Sequence, residues 1–183
     1  MCASDLADHQ TVVYAADYPH YDDAGAMFNH ATLVVQGRVI GAPRVAKLAE
    51  NPQPDVSDPN LNPNAGAPAG AAGQPAAEPM VITVHAFEIA KVYKGSAKAG
   101  EIIEVKQLGG VLDGKTYKDT DVTPLKVGNS YTLFLETYPN SPASLLNPTQ
   151  AQYPTDASGE VSALPGNPIK LSRSDLDRLA GAK

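Results

Sequence analysis

Apolar and polar residues alternate with a period of two through several stretches of this chain, and that period predicts β-strands. Residues 31–40 place Leu33, Val35 and Val39 on one face and form the first clear strand. Gly37 falls on the same face, where a glycine marks a bulge or a sharp bend. The longest strand is expected over residues 80–93; its apolar phase slips near Ala86 and Phe87, as a β-bulge would cause. Lys94, Gly95 and Ser96 turn the chain into a strand over 101–107, and Gly109, Gly110, Asp113 and Gly114 mark a further loop or hairpin. Tyr131, Leu133 and Leu135 share one face of a strand over 130–136. Short strands are expected over 150–153 and 160–164, around a turn at 156–159.

Two stretches read as short helices instead. Asp22 and Asp23 give residues 24–30 an acidic start, and Met27 and Phe28 give them an apolar side that packs beside the strands. Ser172 or Ser174 caps a closing helix that runs through Ala180, with Leu176 and Leu179 on one face and Gly181 as its stop. The pattern fails in two places. Residues 1–21 have little periodicity and read as an arm or tether, although Thr11, Val12, Val13 and Tyr14 suit a short strand at a sheet edge. Residues 51–79 form a Pro/Ala/Gly-rich insert with too little apolar area to offset the entropy of ordering it. The count is five or six strands and two short helices, in one mostly β domain over 22–183.

Composition narrows the range of partners. The formal charge of −6, with no cluster of Lys or Arg, argues against nucleic acid, because neutralising phosphates needs a basic stripe. No apolar run approaches the roughly 20 residues that span a bilayer. The single cysteine, Cys2, has no partner for an internal disulfide, so packing must hold the domain together. The opening residues, Met1-Cys2-Ala3-Ser4-Asp5, resemble the mature end of a bacterial lipoprotein, whose terminal cysteine carries the lipid. On that reading Cys2 is the one route to a membrane and the chain is extracellular or held at the cell surface.

Three separated pieces, taken in order, carry a family resemblance. They are residues 31–39, with Val34, Val35, Gly37 and Val39; residues 87–95, ending Val92-Tyr93-Lys94-Gly95; and residues 125–135, with Leu125, Gly128, Tyr131, Phe134 and Leu135. Together they resemble uncharacterised exported Gram-positive proteins of actinobacterial type. More distantly, they are similar to the OB-like barrel of tissue-inhibitor-of-metalloproteinase and netrin modules. The resemblance implies a small antiparallel OB-like barrel of five or six strands that offers loops and one sheet face for binding. The inhibitor family chelates an active-site zinc through a terminal cysteine held by disulfides. Cys2 has no second cysteine to hold it, so that activity does not carry over.

Catalytic patterns are scarce. There is no G-x-S-x-G or S-x-x-K motif, and His9, His20, His30 and His85 lack the spacing of a zinc site. An enzyme is therefore not expected, and no cofactor is implied. Asp113, Asp119 and Asp121, beside Gly114, would suit a hard cation if their carboxylates converged. Tyr14, Tyr18, His20 and Tyr21 form the one aromatic-rich polar stretch, able to dock on its own domain or on a protein partner. The leading expectation is a non-enzymatic, secreted or lipid-anchored binding module. The alternatives are a structural subunit that self-associates through the arm or strand edges, and a metal-binding protein or weak enzyme.

Overall fold

The structure, a computed structural model, describes residues 10–48 and 80–182. Cys2, the first part of the arm and the 51–79 insert lie outside these residues. In chain order the described residues form β1 (Thr11–Tyr14), α1 (Ala24–His30), β2 (Leu33–Lys47), β3 (Val81–Lys94), β4 (Ile102–Leu112) and β5 (Lys115–Asp119). β6 (Ser130–Tyr138), β7 (Ser141–Leu145), β8 (Gln152–Thr155) and α2 (Arg173–Gly181) follow. The fold is mostly β, with two short helices, as the pattern predicts.

The eight strands exceed the expected five or six. β5 and β7 escape the periodicity because β5 is largely charged and β7 carries Pro142, a residue that counts against a strand. The strand expected over 160–164 reduces to a single bridge from Val161 to Thr155. The phase slip at Ala86 and Phe87 is not a break, since β3 pairs with β4 in unbroken register from Ile82 to Glu88. It arises because Ile82 and Val84 are buried on one face while Phe87 and Ile89 are buried on the other. The β2–β3 pairing is irregular, once between Ile40 and Arg44, opposite the Ala86–Val84 step, and again between Gln36 and Gly37. There a Cβ on Gly37 would lie 2.0 Å from the Glu88 carbonyl oxygen, so only glycine permits the close approach.

β2, β3, β4, β7 and β6 form a closed ring. Strand directions cannot alternate all the way round a ring with an odd number of members, so at least one neighbouring pair must be parallel. That pair is β4–β7, joined only through Val105↔Ala143 and Lys106↔Ser144. β1 and β5 are also parallel, so the all-antiparallel expectation fails at two pairings. The ring is less regular than a barrel with evenly paired strands.

Two cores lie on opposite faces of β2 and β6. Inside the ring, Val35, Val39, Phe87, Ile89, Val105, Leu133 and Leu135 pack together. Outside it, Val34 and Phe134 meet Met27 and Phe28 of α1, Tyr153 of β8 and Leu176 of α2. Burial on both faces explains the unbroken apolar run at Leu33, Val34 and Val35. α1 has seven residues, too few to be stable alone, and depends on burying Met27 and Phe28 and on Asp23, whose Oδ1 accepts from the Ala26 amide at 2.7 Å. Of the two candidate caps for α2, Ser172 takes the role and forms a reciprocal capping box with Asp175.

Candidate functional site

The alternation that sends Phe87 and Ile89 into the ring also sends His85 and Thr83 there, further along β3. His85 stands opposite Val105, and Thr83 opposite Gln107. One end of the interior is therefore aliphatic and aromatic, and the other is polar. The segment after β5 covers the polar end, inserting Leu125 into the inner core.

Gln107 fastens that segment. Its Oε1 accepts from the Leu125 amide at 2.8 Å, and its Nε2 donates to the Thr123 carbonyl at 2.9 Å. Gln152 of β8 donates to the same carbonyl at 2.9 Å. Both glutamine side chains are buried. This arrangement closes the ring end with hydrogen bonds in addition to the apolar contact of Leu125, and both amide atoms of Gln107 take part.

His85 is left over. It is 3% exposed, and neither Nδ1 nor Nε2 has a hydrogen-bond partner; Gln152 Oε1 is likewise unpartnered. Burial holds the imidazole below its ordinary value of 6.5, and the nearby Gln107 amide offsets part of that effect. The ring is consequently neutral at pH 7, with one donor and one acceptor unused. A cavity of about 360 Å³ opens beside it, walled by His85, Thr83, Gln107, Tyr117, Val122 and Leu125.

The arm lies across neighbouring surfaces of the ring. Tyr14 stacks on Tyr117 with ring centroids 6.0 Å apart, and its hydroxyl accepts from the Val81 amide at 2.9 Å. Tyr18 donates to Asp119 Oδ2 at 3.1 Å. Burial, followed by the Asp119 charge, raises the Tyr18 phenol well above its ordinary range. Tyr21 is tied by both main-chain groups to the Gln150 side chain at 2.9 Å, and its ring lies edge-on to His30. Its phenol is raised by burial first and by Glu136 second, and its hydroxyl is buried without a partner. His20 is exposed. Three of the four candidate contact residues thus engage the chain's own surface.

The aspartates divide. Asp119 is buried and accepts from the Asp121 amide through Oδ1 at 2.8 Å, so these two belong to one turn. Asp113 sits in the β4–β5 hairpin with a φ of 50°. Among the described residues no group of three or more His, Cys, Asp or Glu side chains is placed to hold a metal ion. No described helix is long and apolar enough to cross a membrane.

Two other concavities differ in character. An open cleft of about 550 Å³ is bordered by Arg38, Glu88, Lys91 and Arg173, and its Arg38–Glu88 ion pair is solvent-exposed. A smaller groove of about 190 Å³ runs beneath the arm between Tyr18, Leu108 and Leu145. Among the described residues, the ring-end cavity has a buried polar side chain without a partner, His85, in its wall. In the sequence His85 lacks the spacing of a zinc site, and no motif singles out Gln107 or Gln152. The available signal was a histidine in phase with Phe87 and Ile89 on a strand otherwise rich in aliphatic residues. Comparison with protein-family models and with curated proteins finds no match to either.

Proposed function

We propose that this chain is a non-enzymatic binding module, exported or held at the cell surface, that takes its ligand at the polar end of an OB-like ring. The carrying observation is His85, buried at the wall of a cavity with both ring nitrogens unpartnered. Buried polar groups are normally satisfied, and leaving one orphaned costs about 1–3 kcal/mol. The ring order β2-β3-β4-β7-β6, closed by a parallel pair, supports the OB-like reading, in which ligands bind along one sheet face and its flanking loops. A fragment titration followed through the backbone amides tests the proposal. Saturable shifts at Gly109, Gly110 and Leu125 are expected; shifts confined to the Arg38–Lys91 cleft overturn it.

The location proposal rests on Cys2. Mass analysis of the amino-terminal peptide from protein made in a bacterial host with its own leader is expected to show a diacylglyceryl adduct. An unmodified thiol there overturns the lipid anchor.

A second reading, a subunit of a surface assembly, is favoured by β1. Among the described strands it stands at the end of the sheet order, paired with β5, a position suited to strand addition. Removal of residues 1–21 is then expected to lower the mass in solution, and an unchanged monomer rules the assembly out.

A further inference from the structure

The polar end of the ring is covered by residues 120–127, which belong to no strand. Among the described residues, main-chain hydrogen bonds anchor this cover at its two ends, from the Val122 amide to the Asp119 carbonyl and from the Gly128 amide to the Val39 carbonyl. Between those points side chains hold it. Gln107 bonds Thr123 and Leu125, Gln152 bonds Thr123, and the Tyr131 hydroxyl accepts from the Lys126 amide at 3.1 Å. Within 120–127 Leu125 alone is buried. We propose that His85 makes this cover a pH-sensitive closure, in which protonation of the buried imidazole in mild acid releases residues 120–127 from the ring end and admits water. The device needs no partner, so it goes beyond the binding reading and stands whether or not the ring end takes a ligand.

The reason lies in what each protonation state requires. Neutral imidazole has one N–H and one lone pair, whereas the protonated ring has two N–H groups and a positive charge. Both His85 nitrogens are buried and neither is bonded. They point in different directions, so one neighbour cannot serve both. Gln107 Oε1 keeps a second lone pair beside the Leu125 amide and can accept from one N–H. The other N–H of the imidazolium then stays buried without an acceptor, and its charge stays out of water. Lifting the cover brings water to both.

The surrounding charges do not offset that cost. Lys118 and Asp119 of β5 line the same cavity with opposite signs, and Asp119 already accepts from the Tyr18 hydroxyl and the Asp121 amide. Tyr117 of β5 and Tyr131 of β6 bring rings to this end of the interior. Arg44 of β2 and Glu104 of β4 pair with each other in solvent, and Lys106 of β4 turns to Ser141. Asp121 and Lys126 of the cover are exposed. Burial is the larger influence on His85, and it favours the neutral ring. Protons therefore bind the open form more readily than the closed one and favour opening below pH 6.5. With the ordinary value of 6.5 restored in the open form, opening can increase by at most about thirtyfold at pH 5.

Amide hydrogen exchange of the full chain tests the device, read as protection factors so that the intrinsic pH dependence of exchange cancels. At pH 7 Leu125 and Lys126 are expected to be less protected than Leu133 and Phe134, because the cover opens without the ring. Between pH 7 and pH 5 protection at Leu125 and Lys126 should fall roughly threefold or more, and in His85→Phe that fall should vanish. His85→Gln, neutral across the range, carries the same comparison if the first variant does not fold. Three results overturn the proposal: Leu125 as protected as Leu133 at every pH, protection at Leu125 that does not change with pH, or a fall that persists without the imidazole.

Discussion

Tyr18 and Asp119 lie 101 positions apart, and a 3.1 Å hydrogen bond from the Tyr18 hydroxyl to Asp119 Oδ2 pins the arm to the end of β5. The carboxylate is buried, so its acceptors need donors from within the chain. Tyr18→Phe removes one of the two observed and is expected to lower unfolding free energy by about 1–2 kcal/mol in urea titrations. In a double-mutant cycle with Asp119→Asn, the two effects should sum to more than the double variant loses. Additive effects would show that the pair is not coupled.

Gly37 should tolerate no side chain. An alanine Cβ would sit 2.0 Å from the Glu88 carbonyl and 2.8 Å from Phe87, forcing β2 and β3 apart inside the ring. Gly37→Ala is expected to cost about 3 kcal/mol or more. Gly41→Ala meets no atom within 4 Å and suffers only from its φ of 65°, so about 1 kcal/mol is expected. Thermal unfolding of the two variants separates overpacking from backbone strain.

His85 should set a stability slope below neutrality. Its folded-state pKa is depressed by burial, so below about pH 6.5 the unfolded chain binds more protons than the folded one. Stability is therefore level above that pH and falls as pH drops toward the folded value. Denaturant titrations between pH 7 and 5 should show this decline in the wild type and lose most of it in His85→Phe. The carboxylates of Asp156, Asp175 and Asp177 act in another window. Their pKa values are held below 3.8, chiefly by hydrogen bonds from Ser158, Ser172 and Lys91 respectively, so what they contribute is lost only in stronger acid.

Gln107→Ala should loosen the ring end without unfolding the ring. The Leu125 amide loses its acceptor, while the Thr123 carbonyl keeps Gln152. Hydrogen exchange at Leu125 is expected to accelerate at least tenfold, with protection at Leu133 and Phe134 unchanged. Uniform acceleration across both sites would show that the closure is part of the global fold.

The two components of the α2 attachment should separate in magnitude. Ser172→Ala removes the cap and is expected to cost about 1 kcal/mol. Leu176→Ala empties a fully buried position in the outer core and should cost about 2–5 kcal/mol. Equal losses by chemical denaturation would mean that α2 is held by its cap more than by its packing.

Local pattern was enough to establish the mostly β character, the two helices with an aspartate pair before one and Ser172 or Ser174 before the other, and the special place of Gly37. These properties depend on neighbours in sequence: period, cap and lack of a Cβ. The ring closure, the parallel β4–β7 pair and the second core depend on which distant strands meet, and no local period encodes that. The same holds for the candidate site. Tyr14, Tyr18 and Tyr21 stood out as aromatic residues, but only the fold turned them inward onto Tyr117, Asp119 and Gln150. His85 carried a faint signal through its phase with Phe87. Its lack of a partner became visible only in the tertiary structure, because hydrogen-bond satisfaction is a property of the assembled interior.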